Sequence, residues 1–160
     1  MTAVSVSLVD VYVLRPTGHG SVDFLTLRRA SGGRCPGTWE TVHGHIAGDE
    51  GPVKAAVREL AEETGIRPVR LYNLSRVEAF YRHLSDEVAL IPVFGALVDP
   101  DTVVSLSDEH DDHRWLDPGD AAAAYYWPRE RNAVPDVARL LHDLSGPADD
   151  VLIIPQSLWR

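Results

Sequence analysis

The sequence predicts a single α/β domain in which strands and helices alternate along the chain. Its 160 residues are enough to bury one hydrophobic core. Segments with the patterning of strands are interleaved with segments of helical spacing. No internal repeat, low-complexity tract or linker divides the chain. We therefore expect one domain over residues 1–160, with a C-terminal tail from about residue 146.

The first part of the chain combines strands with a glycine-rich loop. Val4 to Leu14 is rich in valine and partly alternating, and Val22 to Leu27 is a second apolar run, so both are predicted strands. Residues 30–37, ASGGRCPG, are punctuated by glycine and proline as a loop would be. Trp39 to Val42 is predicted as a short strand after this loop.

A helix is predicted from about Gly51 to Thr64. Pro52 stands in its first turn and Gly65 follows its last residue. Proline near the start and glycine just past the end is the usual asymmetry of helix termini.

Two more strands are predicted in the second half, from Val69 to Tyr81 and from Val88 to Val98. Pro92 interrupts the latter and indicates a bulge or an edge position, because proline cannot donate a ladder hydrogen bond. A polar loop is expected over Asp108 to Asp112. Further expectations are helices over Ala121 to Tyr126 and Glu130 to Leu144, and a tail, Val151 to Arg160, that either docks as a strand or frays.

Charge and cysteine content restrict the function classes. A formal net charge of −9 excludes non-specific nucleic-acid binding, which needs a basic surface, and a phosphorylated substrate would be repelled unless cations or clustered arginines intervened. Cys35 is the sole cysteine, so no internal disulfide can form. No apolar run approaches the roughly 20 residues of a membrane span, and the N-terminus lacks a signal-peptide pattern. We expect a cytoplasmic protein without a membrane or nucleic-acid partner.

Three glutamates on the predicted helix are the principal candidates for chemistry. Glu59, Glu62 and Glu63 fall within an arc of roughly 100° at 100° per residue. Such carboxylates repel one another on an isolated helix, but together they suit a hard cation such as Mg²⁺ or Mn²⁺. By themselves they favour a solvated acidic face over a metal site.

The residues around the helix resolve this ambiguity. From Gly44 to Ile66 the sequence GHIAGDEGPVKAAVRELAEETGI matches the pattern GX5EX7REUXEEXGU at every fixed position, where U is a bulky aliphatic residue. This segment resembles the signature of the Nudix hydrolases, which hydrolyse nucleoside diphosphates linked to another moiety. The resemblance implies an α/β/α sandwich around a mixed β-sheet.

The resemblance also implies roles for individual residues. Glu59, Glu62 and Glu63 would bind Mg²⁺, or Mn²⁺ in its place, and Gly44 would offer its backbone carbonyl to the metal. Arg58 would orient the carboxylates, with Glu50 in support. Glu59, Glu62 and Arg58 are thus the catalytic candidates within the box.

Residues outside the box give a less specific resemblance to dATP or dihydroneopterin triphosphate pyrophosphohydrolases. The matching features are Glu109-His110, Trp115-Leu116, Trp127, Arg131-Asn132 and the run Trp39-Val42-Gly44-Ile46. In that subgroup Glu109 would be a metal ligand or the general base, and a merely polar loop is the alternative. Arg28, Trp39, His45 and Tyr81 are the candidates for substrate binding.

The expected activity is Mg²⁺-dependent hydrolysis of a diphosphate linkage in a nucleoside triphosphate or related nucleotide. In some diadenosine polyphosphate hydrolases a tyrosine about sixteen positions past the glycine that matches Gly65 is a substrate marker, and Tyr81 stands at that distance. A dinucleoside polyphosphate or ADP-ribose hydrolase is an alternative, and a non-catalytic Nudix sensor is another. Homodimerisation is common in the family, and the sequence leaves it open.

Overall fold

The computed structural model describes residues 1–18, 20–142, 146 and 149–160. Over these residues a mixed sheet is formed by eight strands: β1 (Ala3–Val6), β2 (Leu8–Pro16), β3 (Val22–Arg29), β4 (Trp39–Glu40), β5 (Val42–His45), β6 (Arg70–Arg82), β7 (Glu87–Leu97) and β8 (His110–Leu116). The helices are α1 (Pro52–Thr64), α2 (Pro118–Ala124), α3 (Pro128–His142) and α4 (Asp149–Leu152), followed by a 3₁₀ turn at Gln156–Leu158.

The centre of the sheet is β2, which is buried on both faces. It runs parallel to β7 on one side and antiparallel to β3 and β5 on the other. Strand β6 follows β7 on its far side, and β8 follows β3. This order brings β5, the strand that precedes α1, directly against the sheet centre.

Two hydrophobic cores lie on opposite faces of the sheet. Alternate residues of β2 divide between them, because side chains along a strand point to opposite faces. Val9, Val11 and Val13 pack in the cluster that includes Leu60 of α1. Tyr12 and Leu14 pack in the cluster with the α3 residues Ala133, Val134, Val137 and Leu141. The predicted α/β/α sandwich around a mixed sheet is therefore confirmed.

The predicted strand from Val4 to Leu14 is divided at Ser7 into β1 and β2. Both run parallel to β7, with Val6 opposite Leu90 and Asp10 opposite Val93, so the register shifts by one residue between them. Because β6 occupies the other side of β7, the two segments follow one path along the same edge.

Pro92 lies within the inner strand β7, opposite an irregularity in the neighbouring strand β6. It faces Val77, next to a register shift in β6 between Asn73 and Val77. A proline has no N–H to give to the ladder, and the bulge relaxes the pairing there. Of the two predicted explanations, the bulge is correct and the edge position is wrong.

The predicted loop over Asp108 to Asp112 is wrong in its second half, because β8 begins at His110. Strand pairing with β3 outweighs the polar composition here. Arg28 of β3 makes an ion pair of 2.6 Å with Asp111 and one of 3.7 Å with Asp112, which stabilises acidic residues in a strand.

The C-terminal segment docks on the sheet without forming a full strand. Ile153 makes an isolated bridge to Tyr72, and the Ile154 N–H donates to the Leu71 carbonyl at 2.8 Å. The predicted second helix, Ala121 to Tyr126, is α2 with bounds shifted to Pro118–Ala124. The predicted end of the third helix at Leu144 lies outside the described residues. In the described part of the chain, no helix is both long and apolar enough to cross a membrane.

Candidate functional site

Helix α1 is fixed at its C-terminal end, where the predicted metal ligands lie. Gly65 adopts a left-handed conformation with φ 69°, and its N–H donates to the Ala61 carbonyl. The carbonyls of Thr64 and Glu63 accept hydrogen bonds from a later loop. The Ser105 N–H donates to Thr64 at 2.8 Å, and the Ser107 N–H donates to Glu63 at 3.1 Å. The loop that leads to Glu109 is thereby attached to the end of the helix.

Arg58 connects the loop before α1 with two of the helix glutamates. Its guanidinium donates to Glu50, to Glu59 at 2.9 Å, to Glu62 at 3.0 Å and to the His45 carbonyl at 2.7 Å. Glu50 also accepts from the Ala47 N–H at 2.8 Å, and the hydrogen bond from Arg58 lowers the pKa of Glu50. These contacts fix Glu50 and Arg58 relative to Glu59 and Glu62.

Gly44 and Glu59 lie unusually close together. A Cβ added at Gly44 would overlap the carboxyl group of Glu59. Only glycine on β5 therefore lets this carboxylate approach the backbone so closely.

Glu63 is buried, and one of its carboxylate oxygens lacks a partner. Among the described residues, nothing donates a hydrogen bond to its Oε2 atom. Burial raises the pKa of Glu63 well above its usual range, and the charges of Glu40, Glu59 and Glu109 raise it further. A buried oxygen without a donor costs free energy unless another ligand binds it.

These features fit a divalent cation. Mg²⁺ and Mn²⁺ prefer carboxylate and carbonyl oxygens, and the close approach of Glu59 to Gly44 brings both kinds together near Glu63. In the part of the chain that is described, no three acidic, histidine or cysteine side chains already form a closed ligand set. Glu62 is 58% exposed and paired with Arg58, so it would have to turn to join a ligand set.

A second group of charged residues lies beside Glu63. Glu40 is buried and accepts from Arg29 at 2.9 Å, while His110 Nε2 lies 3.2 Å away. Burial alone would raise the pKa of Glu40, but the hydrogen bonds from His110 and Arg29 outweigh it and lower the pKa. Glu109 is 62% exposed and lies 3.6 Å from Arg29.

An open cleft of about 790 Å³, solvent included, adjoins these residues. It is lined by Leu8, Arg29, Arg34, Cys35, Glu40, His43, His45, Phe80, Arg82, Ile91, Trp127 and Arg129. Glu40 is the only acid among these described lining residues, which include four arginines, although the chain carries a net charge of −9. Three of these arginines, Arg29, Arg82 and Arg129, are each paired with a carboxylate. Arginines with aromatic walls suit an anionic ligand with a planar ring.

One wall of the cleft is supported by a buried ionic network. Arg129 donates to Asp10 at 2.9 Å, and His43 Nδ1 lies 2.6 Å from the same carboxylate. Burial alone would raise the pKa of Asp10, but His43 and Arg129 outweigh it and lower the pKa. Burial and the charge of Asp10 raise the pKa of Glu130, which approaches the Thr41 N–H at 3.4 Å. The network fixes Arg129 at the cleft.

Of the four residues predicted to bind substrate, His45 lines this cleft. Burial lowers the pKa of His45, and the charge of Arg82 lowers it further. The other three lie outside the lining: Arg28 pairs with Asp111, Trp39 lies 4.6 Å below the Arg114 guanidinium, and the Tyr81 hydroxyl donates to Asp86. Phe80 lines the cleft instead of its neighbour Tyr81, because successive side chains of β6 point to opposite faces.

Sequence reasoning did not identify Glu40, Arg34, Arg82 or Arg129 as site residues. Arg82 and Arg129 lie far along the chain from the glutamate helix, and Arg34 and Glu40 lie before the signature segment that begins at Gly44. The excess of arginine over carboxylate in the cleft arises only when β3, β6 and α3 are brought together. No local pattern would have revealed it.

Comparison with known proteins identifies relatives of this arrangement. The family model described as the NUDIX domain matches residues 5–137. An octanoyltransferase of Myxococcus xanthus is 35% identical over 111 residues, which are 68% of this chain but only 30% of that protein. An asymmetrical bis(5'-nucleosyl)-tetraphosphatase of Rattus norvegicus is 31% identical over 107 residues, 66% of this chain and 71% of that protein.

Solved structures share the fold. A C. elegans Ap4A hydrolase, crystallised as a binary complex, superimposes with a TM-score of 0.71 at 22% identity, over 86% of this chain and 98% of that one. The E. coli dihydroneopterin triphosphate pyrophosphohydrolase gives a TM-score of 0.65 at 23% identity, over 82% of this chain and 94% of that one. At these identities the superpositions show a common fold.

Proposed function

The chain belongs to the Nudix hydrolase family, and from this premise we propose that it hydrolyses a diphosphate linkage in a nucleotide derivative with the help of a divalent cation. The observation that carries the proposal is the buried Glu63 Oε2, which no described residue satisfies, next to Glu59 and Gly44. We expect these oxygens to bind the cation at the edge of the cleft.

Residues of β5 and α1 would hold the cation, namely Gly44 through its carbonyl and Glu59, Glu62 and Glu63 through their carboxylates. When bound, Mg²⁺ or Mn²⁺ would neutralise the charge of the diphosphate and acidify an attacking water. Arg58 would orient Glu59, to which it donates at 2.9 Å, while Glu62 would have to turn from its contact with Arg58 to reach the cation.

The remaining steps need a general base for the attacking water and a cleft that binds the substrate. We assign proton removal from the attacking water to Glu109, because its exposed carboxylate is free to reach a substrate and lies 3.6 Å from Arg29. Oxygen from that water bonds to phosphorus as the bridging P–O bond breaks, which releases a monophosphate together with pyrophosphate, from a triphosphate, or a phosphorylated partner.

The substrate class follows from the lining of the cleft. Arg34 forms no ion pair with the described residues and is available to phosphate oxygens, whereas Arg82 is already paired with Glu87 at 3.2 Å. Phe80 and Trp127 offer aromatic surface for a base or pterin ring.

A nucleoside triphosphate, or a dihydroneopterin triphosphate-like compound, is the favoured substrate because the resemblance outside the box points to it. A dinucleoside polyphosphate is the second candidate. It is supported by the 31% identity to the rat tetraphosphatase, which covers 71% of that protein.

The proposal is tested by product analysis with Mg²⁺ and a panel of dNTPs, dihydroneopterin triphosphate, dinucleoside polyphosphates and ADP-ribose. We expect at least one compound to be cleaved, and Glu62→Gln to lower turnover by about 100-fold or more because a ligand to the cation is removed. Glu62 is more than half exposed, so its replacement should leave the fold intact.

The matched control is Asp136→Asn, which replaces another exposed carboxylate that pairs with an arginine, Arg76 on β6. This variant should keep the wild-type rate. Near-normal activity of Glu62→Gln would contradict the proposed role. Tight binding without cleavage of any compound would identify a non-catalytic sensor instead.

A further inference from the structure

The further inference concerns His110, the first residue of β8. Its side chain is almost completely buried, with 1% of its surface exposed. The loop before it is attached to the end of α1 through Ser107, whose N–H donates to the Glu63 carbonyl and whose own carbonyl accepts from His110. The imidazole is therefore placed relative to the glutamate helix by main-chain contacts.

The two ring nitrogens of His110 face two different carboxylates. Nε2 lies 3.2 Å from Glu40 Oε1, and Nδ1 lies 3.9 Å from Glu63 Oε2. Both Nδ1 and that Oε2 atom are buried and lack a hydrogen-bond partner among the residues described. Two unsatisfied buried atoms that face each other at this distance need a shift of about 1 Å to form a hydrogen bond. A carboxylate oxygen has two lone pairs, so one would remain for the cation.

Glu40 in turn is held from the side of the cleft. Arg29, which lines the cleft, donates to the same Glu40 oxygen at 2.9 Å. A continuous buried series therefore runs from Arg29 through Glu40 and His110 to Glu63. Residues behind metal ligands that fix their orientation in this way contribute strongly to metal affinity.

We propose that His110 is a positioning residue for the cation site: held by Glu40 through Nε2, it orients the Glu63 carboxylate through Nδ1. This inference rests on the proposed cation site, and it deepens the account of that site. His110 touches neither the cation nor the substrate, so its effect should appear first in metal affinity.

The test is the dissociation constant of Mn²⁺, measured by calorimetry and by electron paramagnetic resonance of free Mn²⁺ without substrate. His110→Asn and His110→Gln discriminate between the two nitrogens, because the Asn amide stands near the position of Nδ1 and the Gln amide near that of Nε2. We expect His110→Gln to weaken Mn²⁺ binding by about 10-fold or more. His110→Asn keeps an amide near Nδ1 but loses the contact with Glu40, so it should weaken binding only several-fold.

His113→Asn is the matched control, because this histidine lies on the same strand outside the series and should keep the wild-type affinity. Unchanged Mn²⁺ affinity in His110→Gln would overturn the proposal. Equal weakening in the Asn and Gln variants would also overturn it, because Nδ1 would then have no special role. Thermal unfolding of each variant establishes that it is folded.

If neither His110 variant folds, Glu40→Gln carries the test. It should weaken Mn²⁺ binding several-fold, and wild-type affinity in this variant would overturn the inference. Failure of the proposed function can be told apart from failure of this inference. A wild-type protein that binds Mn²⁺ but cleaves nothing would refute hydrolysis and leave the affinity comparison valid.

Discussion

At the scale of single residues, the site depends on how closely one side chain can approach a backbone. Glu59 lies against Gly44, and the guanidinium of Arg58 holds it there at 2.9 Å. The glycine is therefore required by the position of the carboxylate, and not by a turn or a positive φ.

Gly44→Ala should separate catalysis from stability. The added methyl group would displace the Glu59 carboxylate, and a displacement of about 1 Å in a catalytic group can cost about 100-fold in rate. Stability should change little, because the displaced atoms are the end of a flexible side chain. Steady-state rates with Mg²⁺ and thermal unfolding measure the two effects.

The matched control is Gly18→Ala, at a glycine whose surroundings within 4 Å are empty. It should leave both rate and stability near wild type. Wild-type turnover in Gly44→Ala would show that the close approach has no catalytic importance.

Residue roles differed in how far sequence could predict them. The positions of Glu50, Arg58 and Glu59 follow from the signature because fixed spacing on one helix and its preceding loop brings them together. Arg34 and Arg129 belong to no such pattern of fixed spacing. Tyr81, by contrast, was predicted to bind substrate but lies outside the cleft. Its ring is exposed and its hydroxyl donates to Asp86 on the same hairpin, so composition and position alone did not indicate its direction.

At the scale of elements, the end of α1 organises the site. The left-handed Gly65 terminates the helix and lets the following chain return toward Ser105, whose N–H donates to Thr64. The predicted bounds of this helix agree with the observed ones to within one residue, because proline and glycine specify its two ends locally.

Gly65→Ala should reduce the free energy of unfolding by about 1–2 kcal/mol, the usual cost of a left-handed conformation for a residue with a Cβ. The new Cβ would also lie 3.2 Å from Ser105 Cβ, so that loop would have to give way. Chemical denaturation measures the change.

Gly32→Ala, at an exposed loop glycine with nothing within 4 Å, is the control and should be close to neutral. Equal stability of Gly65→Ala and wild type would contradict the assigned role of the cap.

Elements whose limits depend on distant partners were less predictable. Strand β8 begins within an acidic run because Arg28 pairs across the ladder with Asp111, and only the folded sheet shows this.

At the scale of the whole molecule, a chain of net charge −9 presents a cleft with four arginines beside an acidic helix. In the proposed function, this separation of charge would let one end of a phosphorylated ligand contact arginines while the other end contacts the cation. The fold class was predictable because strand and helix patterns alternate over most of the chain. The cleft was not, because its lining comes from segments distant in sequence.

The most direct test of the central claim is the location of Mn²⁺ by anomalous diffraction from crystals grown with the metal. We expect a peak within coordination distance of Glu59 and Glu63 carboxylate oxygens and of the Gly44 carbonyl. Mn²⁺ bound elsewhere, with this position empty at saturating metal, would contradict it.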